Sequence, residues 1–358
     1  MFDLFPDFKI ISKLNKYSKN TVSRTIGWTA IESNLPDSWL VSEGESVEIA
    51  FICLGETDHF DINPSKILEW RANKSLYHIN PINCKSSILT SPNLNPIDKT
   101  GGSTIDMGII NSQNPQTGMV GISPRAQIQP ICIGNEVIGN TENEFLKALD
   151  ECIKIKPDIV FTNLYSKQFS GNIDLKIKTL YDMNIPFVCS AGSISEKNTN
   201  FPASSNYSIC TGTFDPEDNL VNIKDNGLKP NTVTSTFIDN TYCSYESLST
   251  SAAFITSILA LVISKNKKMI KICGNSNFTT VPGMISFIQS SGFKNLKFGP
   301  KNDYHYGIID IDKELENAKH KLEENKLEPV EEKTFKKEPK KVKTPWYKKL
   351  LTKINLFK

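Results

Sequence analysis

Histidine is scarce in this chain, with four among 358 residues, so few side chains are available as general base or metal ligand. None of the eight cysteines (Cys53, Cys84, Cys132, Cys152, Cys189, Cys210, Cys243, Cys273) forms a CxxC pair, and most sit inside apolar runs. That pattern fits buried free thiols better than a disulfide framework and favours a reducing compartment. The opening stretch MFDLFPDFKIISKLNKYSKN carries acids and a proline where a secretory signal needs a basic start and an unbroken apolar core, so no signal peptide is expected. The longest apolar run, AAFITSILALVI (252–263), falls short of the about 20 residues that cross a bilayer and reads as a core helix. A cytoplasmic protein is expected. Net charge is +2, which says nothing of an acidic or basic partner, and no internal repeat is visible.

What is present is an alternation of strands and helices. SVEIAFICL (46–54) is a β-rich apolar run ended by Gly55. ENEFLKALDECIKIK places Phe145, Leu149, Cys152 and Ile153 on one helical face, and Pro157 stops it. DIVFTNL (158–164) is a strand, IDLKIKTLYDMN (173–184) a helix, IPFVCSAGS (185–193) a strand running into a glycine turn, and YSICTGTF (207–214) another strand. Strands separated by such helices predict an α/β fold, a mostly parallel central sheet with helices on both faces. In such sheets the functional side chains follow the carboxyl ends of strands.

The order of segments resembles the subtilisin-like serine proteases, the subtilases. SVEIAFICLGETDHFDI is similar to the family's first catalytic strand, and GGSTIDMGII to the segment bearing the catalytic histidine. GMVGISPRAQIQPICI is similar to the Gly-Val-Ala-Pro turn and its following strand. IPFVCSAGS with NFPASSNYSICTGTF resembles the oxyanion strand, the Tyr-Pro-Ala turn and the next strand. YESLSTSAAFITSILALVI takes the place of the nucleophile helix, and YHYGIIDIDKELENA that of the closing strand and helix. The resemblance implies a three-layer domain over 26–318, preceded by an extension (1–25) and followed by a charged helix and Lys/Glu/Pro linker (319–344) and a basic amphipathic segment (345–358).

Acyl transfer by serine needs a base, a carboxylate that orients it, and an oxyanion donor. The alignment puts Cys53 at the carboxylate position, Gly102 at the histidine position and Ser193 at the oxyanion asparagine position; Ser247 alone keeps the family's residue. Tyr165 and Tyr245 stand where the family has small residues and are candidates to fill the cleft. The resemblance therefore implies a pseudopeptidase with a binding, regulatory or assembly role. A divergent serine endopeptidase pairing Ser247 with a non-standard base such as His78 is the alternative, and Ser247 as the cap of the buried helix is the plainer one. Cys53 has no cationic neighbour in sequence that would activate a thiol nucleophile. No cofactor is expected, and the acids of ETDHFDIN do not define a metal site.

At the other end, Trp346, Leu350, Ile354 and Phe357 recur at helical spacing, with Leu351 widening the stripe. Between Lys333 and Lys358 ten lysines face one acid, Glu338. Such a helix lies on an anionic membrane, docks in a partner's groove, or folds back on its own domain, and a scaffold tethered through it to a membrane or partner is a second alternative function. No nucleic acid is expected as partner, because the lysines lack arginine and aromatic interleaving. A protein or polypeptide segment is the expected partner.

Overall fold

Along β3 (Glu48–Cys53, EIAFIC) every residue after the first is buried, so both faces of this strand are covered. The computed structural model describes residues 5–6, 9–14, 39, 42–55, 57, 59–62, 98–112, 120–133, 142–192, 199–212, 233–246, 249–273 and 280–290. In chain order its elements begin with β1 (Phe5–Pro6), β2 (Lys9–Leu14) and β3, followed by α1 (Gly102–Asn111), β4 (Gln127–Cys132) and α2 (Glu142–Ile155). Next come β5 (Ile159–Thr162), β6 (Leu164–Tyr165), α3 (Gly171–Asp182), β7 (Phe187–Ser190) and β8 (Ser208–Thr211). The last are β9 (Val233–Phe237), β10 (Thr241–Glu246), α4 (Ser249–Cys273) and α5 (Val281–Ser290).

Five strands form a parallel sheet in the order β4-β3-β5-β7-β8. Side chains on successive residues point to opposite faces, and the two cores follow that alternation. Ile49, Phe51 and Cys53 join Ile105, Met107 and Ile109 of α1 and the apolar face of α4 in one cluster. Ala50 and Ile52 join Phe145, Leu149 and Cys152 of α2 and Ile173, Ile177 and Leu180 of α3 in the other. The protein is thus an α/β structure of three layers, with α1 and α4 on one face and α2 and α3 on the other. Ile153, expected on the inward face of α2, is only partly buried and packs against the edge of that cluster.

Local chemistry explains the element ends. Ser170 caps α3, its hydroxyl accepting from Ile173 N at 3.3 Å. Asp239 and Asn240 both have positive φ (58° and 55°), as the centre of a tight hairpin turn requires; Thr241 N donates to Ile238 O at 3.2 Å across them, and residues 238–240 join β9 to β10. β10 also pairs on its other side with β2, and β1 pairs with β6. The apolar run 252–263 lies within the 25-residue α4, with Ala252, Ala253 and Ile258–Ile263 buried, and the helix packs on α1 as well as on β5, β7 and β8. Among the described residues no helix is long and apolar enough to cross a membrane.

Candidate functional site at the reversal of strand order

The first crossover leaves β3 for β4 through α1, and the second returns past β3 to β5 through α2. Strand order therefore reverses between β3 and β5, the place in such sheets where a site beyond the carboxyl ends is expected. Cys53 ends β3 there, Thr162 ends β5 with Asn163 just after it, and hydrogen bonds bring α1 and the start of α4 to the same edge.

Asp98 holds the entry to α1. Its Oδ1 accepts from the amides of Thr100 (3.0 Å) and Gly101 (2.9 Å) and from the Thr100 hydroxyl (2.8 Å). Its Oδ2 accepts from the amide (2.8 Å) and hydroxyl (2.9 Å) of Thr104. A carboxylate at a helix N-terminus satisfies amides that have no partner within the helix, and opposes the positive end of its dipole. Gly101, at φ 91°, turns the chain into the helix, and a Cβ there would meet the Phe237 ring at 1.9 Å. Gly102, the first helical residue, is buried.

One turn further along α1, Asp106 is fully buried and joins three elements. Asn163 Nδ2 donates to its Oδ2 at 2.8 Å, and the Ser249 hydroxyl donates to its Oδ1 at 3.2 Å. The end of β5, the body of α1 and the start of α4 are therefore fastened together by one carboxylate. The alignment does not single out Asp106, Asn163 or Ser249. The signal for them is an acid inside the otherwise uncharged stretch GGSTIDMGII, since a buried carboxylate needs partners.

The groups that acyl transfer would need are differently employed. The Cys53 thiol is buried and donates to Gly55 O at 3.2 Å. His59 is buried with both ring nitrogens engaged: Nδ1 accepts from Asp61 N (3.1 Å), which leaves Nε2–H to donate to Thr241 O (2.9 Å). The ring also stacks on Phe60 and meets Tyr242 edge-on, while the Tyr242 hydroxyl donates to Asp61 Oδ2 at 2.7 Å. His59 and Asp61 thus pin the loop after β3 to the β9–β10 turn. Among the described residues no three His, Cys, Asp or Glu side chains converge as metal ligands.

Tyr165 is buried at the end of β6, opposite Phe5. Tyr245 lies in β10, opposite Ile10 and Val233. Ser193, Ser247, His78, Trp346, Leu350, Ile354 and Phe357 lie outside the described residues. The fixed points nearest in sequence to Ser193 and Ser247 are Gly192, whose φ of 121° and close approach to Asn200 shape the turn after β7, and Glu246 and Ser249. Comparison with protein families and with curated proteins finds no match.

Proposed function

We propose that this chain is a subtilase-like pseudopeptidase, an α/β domain that binds polypeptide in a regulatory or assembly role without cleaving it. The reading rests on the order of the six resembling segments, compatible with a parallel sheet whose carboxyl edge gathers β3, β5, α1 and α4. The observation that carries the absence of catalysis is the chemistry of that edge. Its acid position is an apolar-core thiol, Cys53, its base position is a buried glycine, Gly102, and His59 has committed both nitrogens to backbone partners. Base, orienting acid and oxyanion donor act as a unit, so losing them together leaves acyl transfer near background.

A serine-directed fluorophosphonate tests this, with the labelled residue located by mass spectrometry. No labelling of the folded chain is expected. Labelling of Ser247 that heat-unfolding abolishes, and that His78→Ala removes, would restore the alternative of a working endopeptidase. Location matters because Ser249, two residues on, already donates to the Asp106 carboxylate.

A further inference from the structure

The chain's own N-terminal residues occupy two strand edges at once. Phe5 and Pro6 pair antiparallel with Tyr165 and Leu164. After Asp7 and Phe8, Lys9–Leu14 pairs antiparallel with β10, from Lys9 opposite Glu246 to Leu14 opposite Tyr242, with one irregularity in register between Ser244 and Tyr245. Three residue steps span at most about 11 Å, so Pro6 on β6 and Lys9 on β10 lie within that distance of each other. Residues 5–6 and 9–14 therefore pair with two elements that are otherwise far apart in sequence, and the second pairing ends one residue before Ser247.

Among the described residues, β6 pairs with β1 in a two-stranded sheet, and β10 carries β2 on one side and β9 on the other. Taking residues 5–14 away would expose a row of amides and carbonyls on both, which is the template on which an extended peptide adds as a strand. The seat is also held in place from behind. Ser166, next after β6, exchanges backbone hydrogen bonds with Phe201 at 2.7 and 2.9 Å, and β10 is braced by His59 on Thr241 O.

We infer that the β6 and β10 edges form one binding site for an extended polypeptide strand of a partner protein, and that residues 5–14 are its resident, displaceable occupant. This deepens the polypeptide-binding reading above and rests on it. The sequence the seat is seen to take, FPDFKIISKL, describes the ligand: an aromatic-proline step, then after a two-residue gap an apolar stretch flanked by lysines. Residues 15–38 tether the occupant, and tethering raises its local concentration to about the mM range, so an incoming strand competes with it. If the resident segment's own intrinsic Kd is about 10 μM, that competition weakens binding of an incoming strand to the intact chain about 100-fold.

The test uses a fluorescent peptide of residues 1–16 and two forms of the protein, the full chain and one lacking residues 1–16. The truncated chain is expected to bind the peptide, with the full chain binding about 100-fold more weakly. A peptide with Ile10, Ile11 and Ser12 replaced by proline, which removes ladder donors, is expected not to bind. Should truncation unfold the protein, a protease site placed between residues 15 and 38 of the full chain is cut after folding, and exchange of the nicked segment for labelled peptide is followed instead. No binding to the folded truncated chain and no exchange after nicking would overturn the proposal, as would equal binding to the full and truncated chains. Peptide that binds and is also cleaved would sink the non-catalytic reading while leaving the site intact.

Discussion

Asn163 Nδ2 donates to Asp106 Oδ2 at 2.8 Å, tying the end of β5 to the middle of α1 at the point where strand order reverses. Because Asp106 also receives the Ser249 hydroxyl, its loss leaves two buried donors without that acceptor. Hydrogen bonds to a carboxylate contribute about 1.5–3 kcal/mol each, so Asp106→Ala is expected to cost about 3–5 kcal/mol in urea unfolding. The swap Asp106→Asn with Asn163→Asp keeps a donor and an acceptor across the gap. The double variant should be at least about 1 kcal/mol more stable than the sum of the single losses, and strict additivity would remove the pairing as their link.

Gly108 of α1 makes room for two hydroxyls from β9. Thr236 donates to Thr104 O at 2.7 Å and Ser235 to Ile105 O at 2.9 Å, while a Cβ on Gly108 would lie 2.1 Å from the first hydroxyl and 2.7 Å from the second. Gly108→Ala normally favours a helix by about 1 kcal/mol, but here the overlap reverses the sign. A net loss of about 1–3 kcal/mol is expected, and combining it with Thr236→Ala should cost less than the two changes separately.

The central architecture was legible because buried parallel strands read as short apolar runs and their helices as 3.6-residue stripes. EIAFIC, IVFT, FVCS and the Phe145–Leu149–Cys152 face all lie where periodicity puts them. The β9–β10 hairpin was missed: its strands VTSTF and TYCSYE are rich in hydroxyl residues, and the Asp-Asn turn lacks the glycine that flags such turns. The pairing of residues 5–14 was illegible for another reason. A strand added at an edge is specified by its distant partner, and its own sequence records only an apolar cluster. Asp106 is not flagged by the resemblance to subtilases, which falls on Gly102, four residues earlier.

Two cysteines report on the integrity of the second core. Burial pushes the Cys152 thiol well above the ordinary value of 9.0, with the Glu151 carboxylate adding to it. Burial likewise raises Cys189, with Cys210 on the adjacent strand adding. The thiolate is the reactive form, so both should resist iodoacetamide at pH 8 in the folded chain and react on unfolding. A native thiol with a raised pKa keeps its proton where the unfolded one loses it. The associated stability is therefore complete below about pH 9 and falls as the pH rises above it, by up to about 1.4 kcal/mol per unit per thiol. Lysines and tyrosines titrate nearby, so the measurement is the difference between the chain and its Cys152→Ala variant: the urea midpoint should fall less steeply from pH 8 to 10 in the variant.

Restoring acid and base separates an alignment that is right from one that is only similar. Cys53→Asp places a carboxyl group inside an apolar cluster, with Gly55 O in place of a donor beside it, and an unpartnered buried carboxyl costs several kcal/mol. Gly102→His adds a ring at the buried start of α1, beside the Asp98 cap. Each single change is expected to destabilise the fold, the first by about 3–5 kcal/mol. If positions 53 and 102 face each other as acid and base do in subtilases, aspartate and histidine will bond, and the double variant will recover at least about 1 kcal/mol relative to additivity. An imidazole resonance whose titration moves to higher pH in the double variant would accompany that recovery, because a nearby carboxylate favours the protonated ring. Additive losses with no such shift would place the two positions apart and take the subtilase alignment down with them.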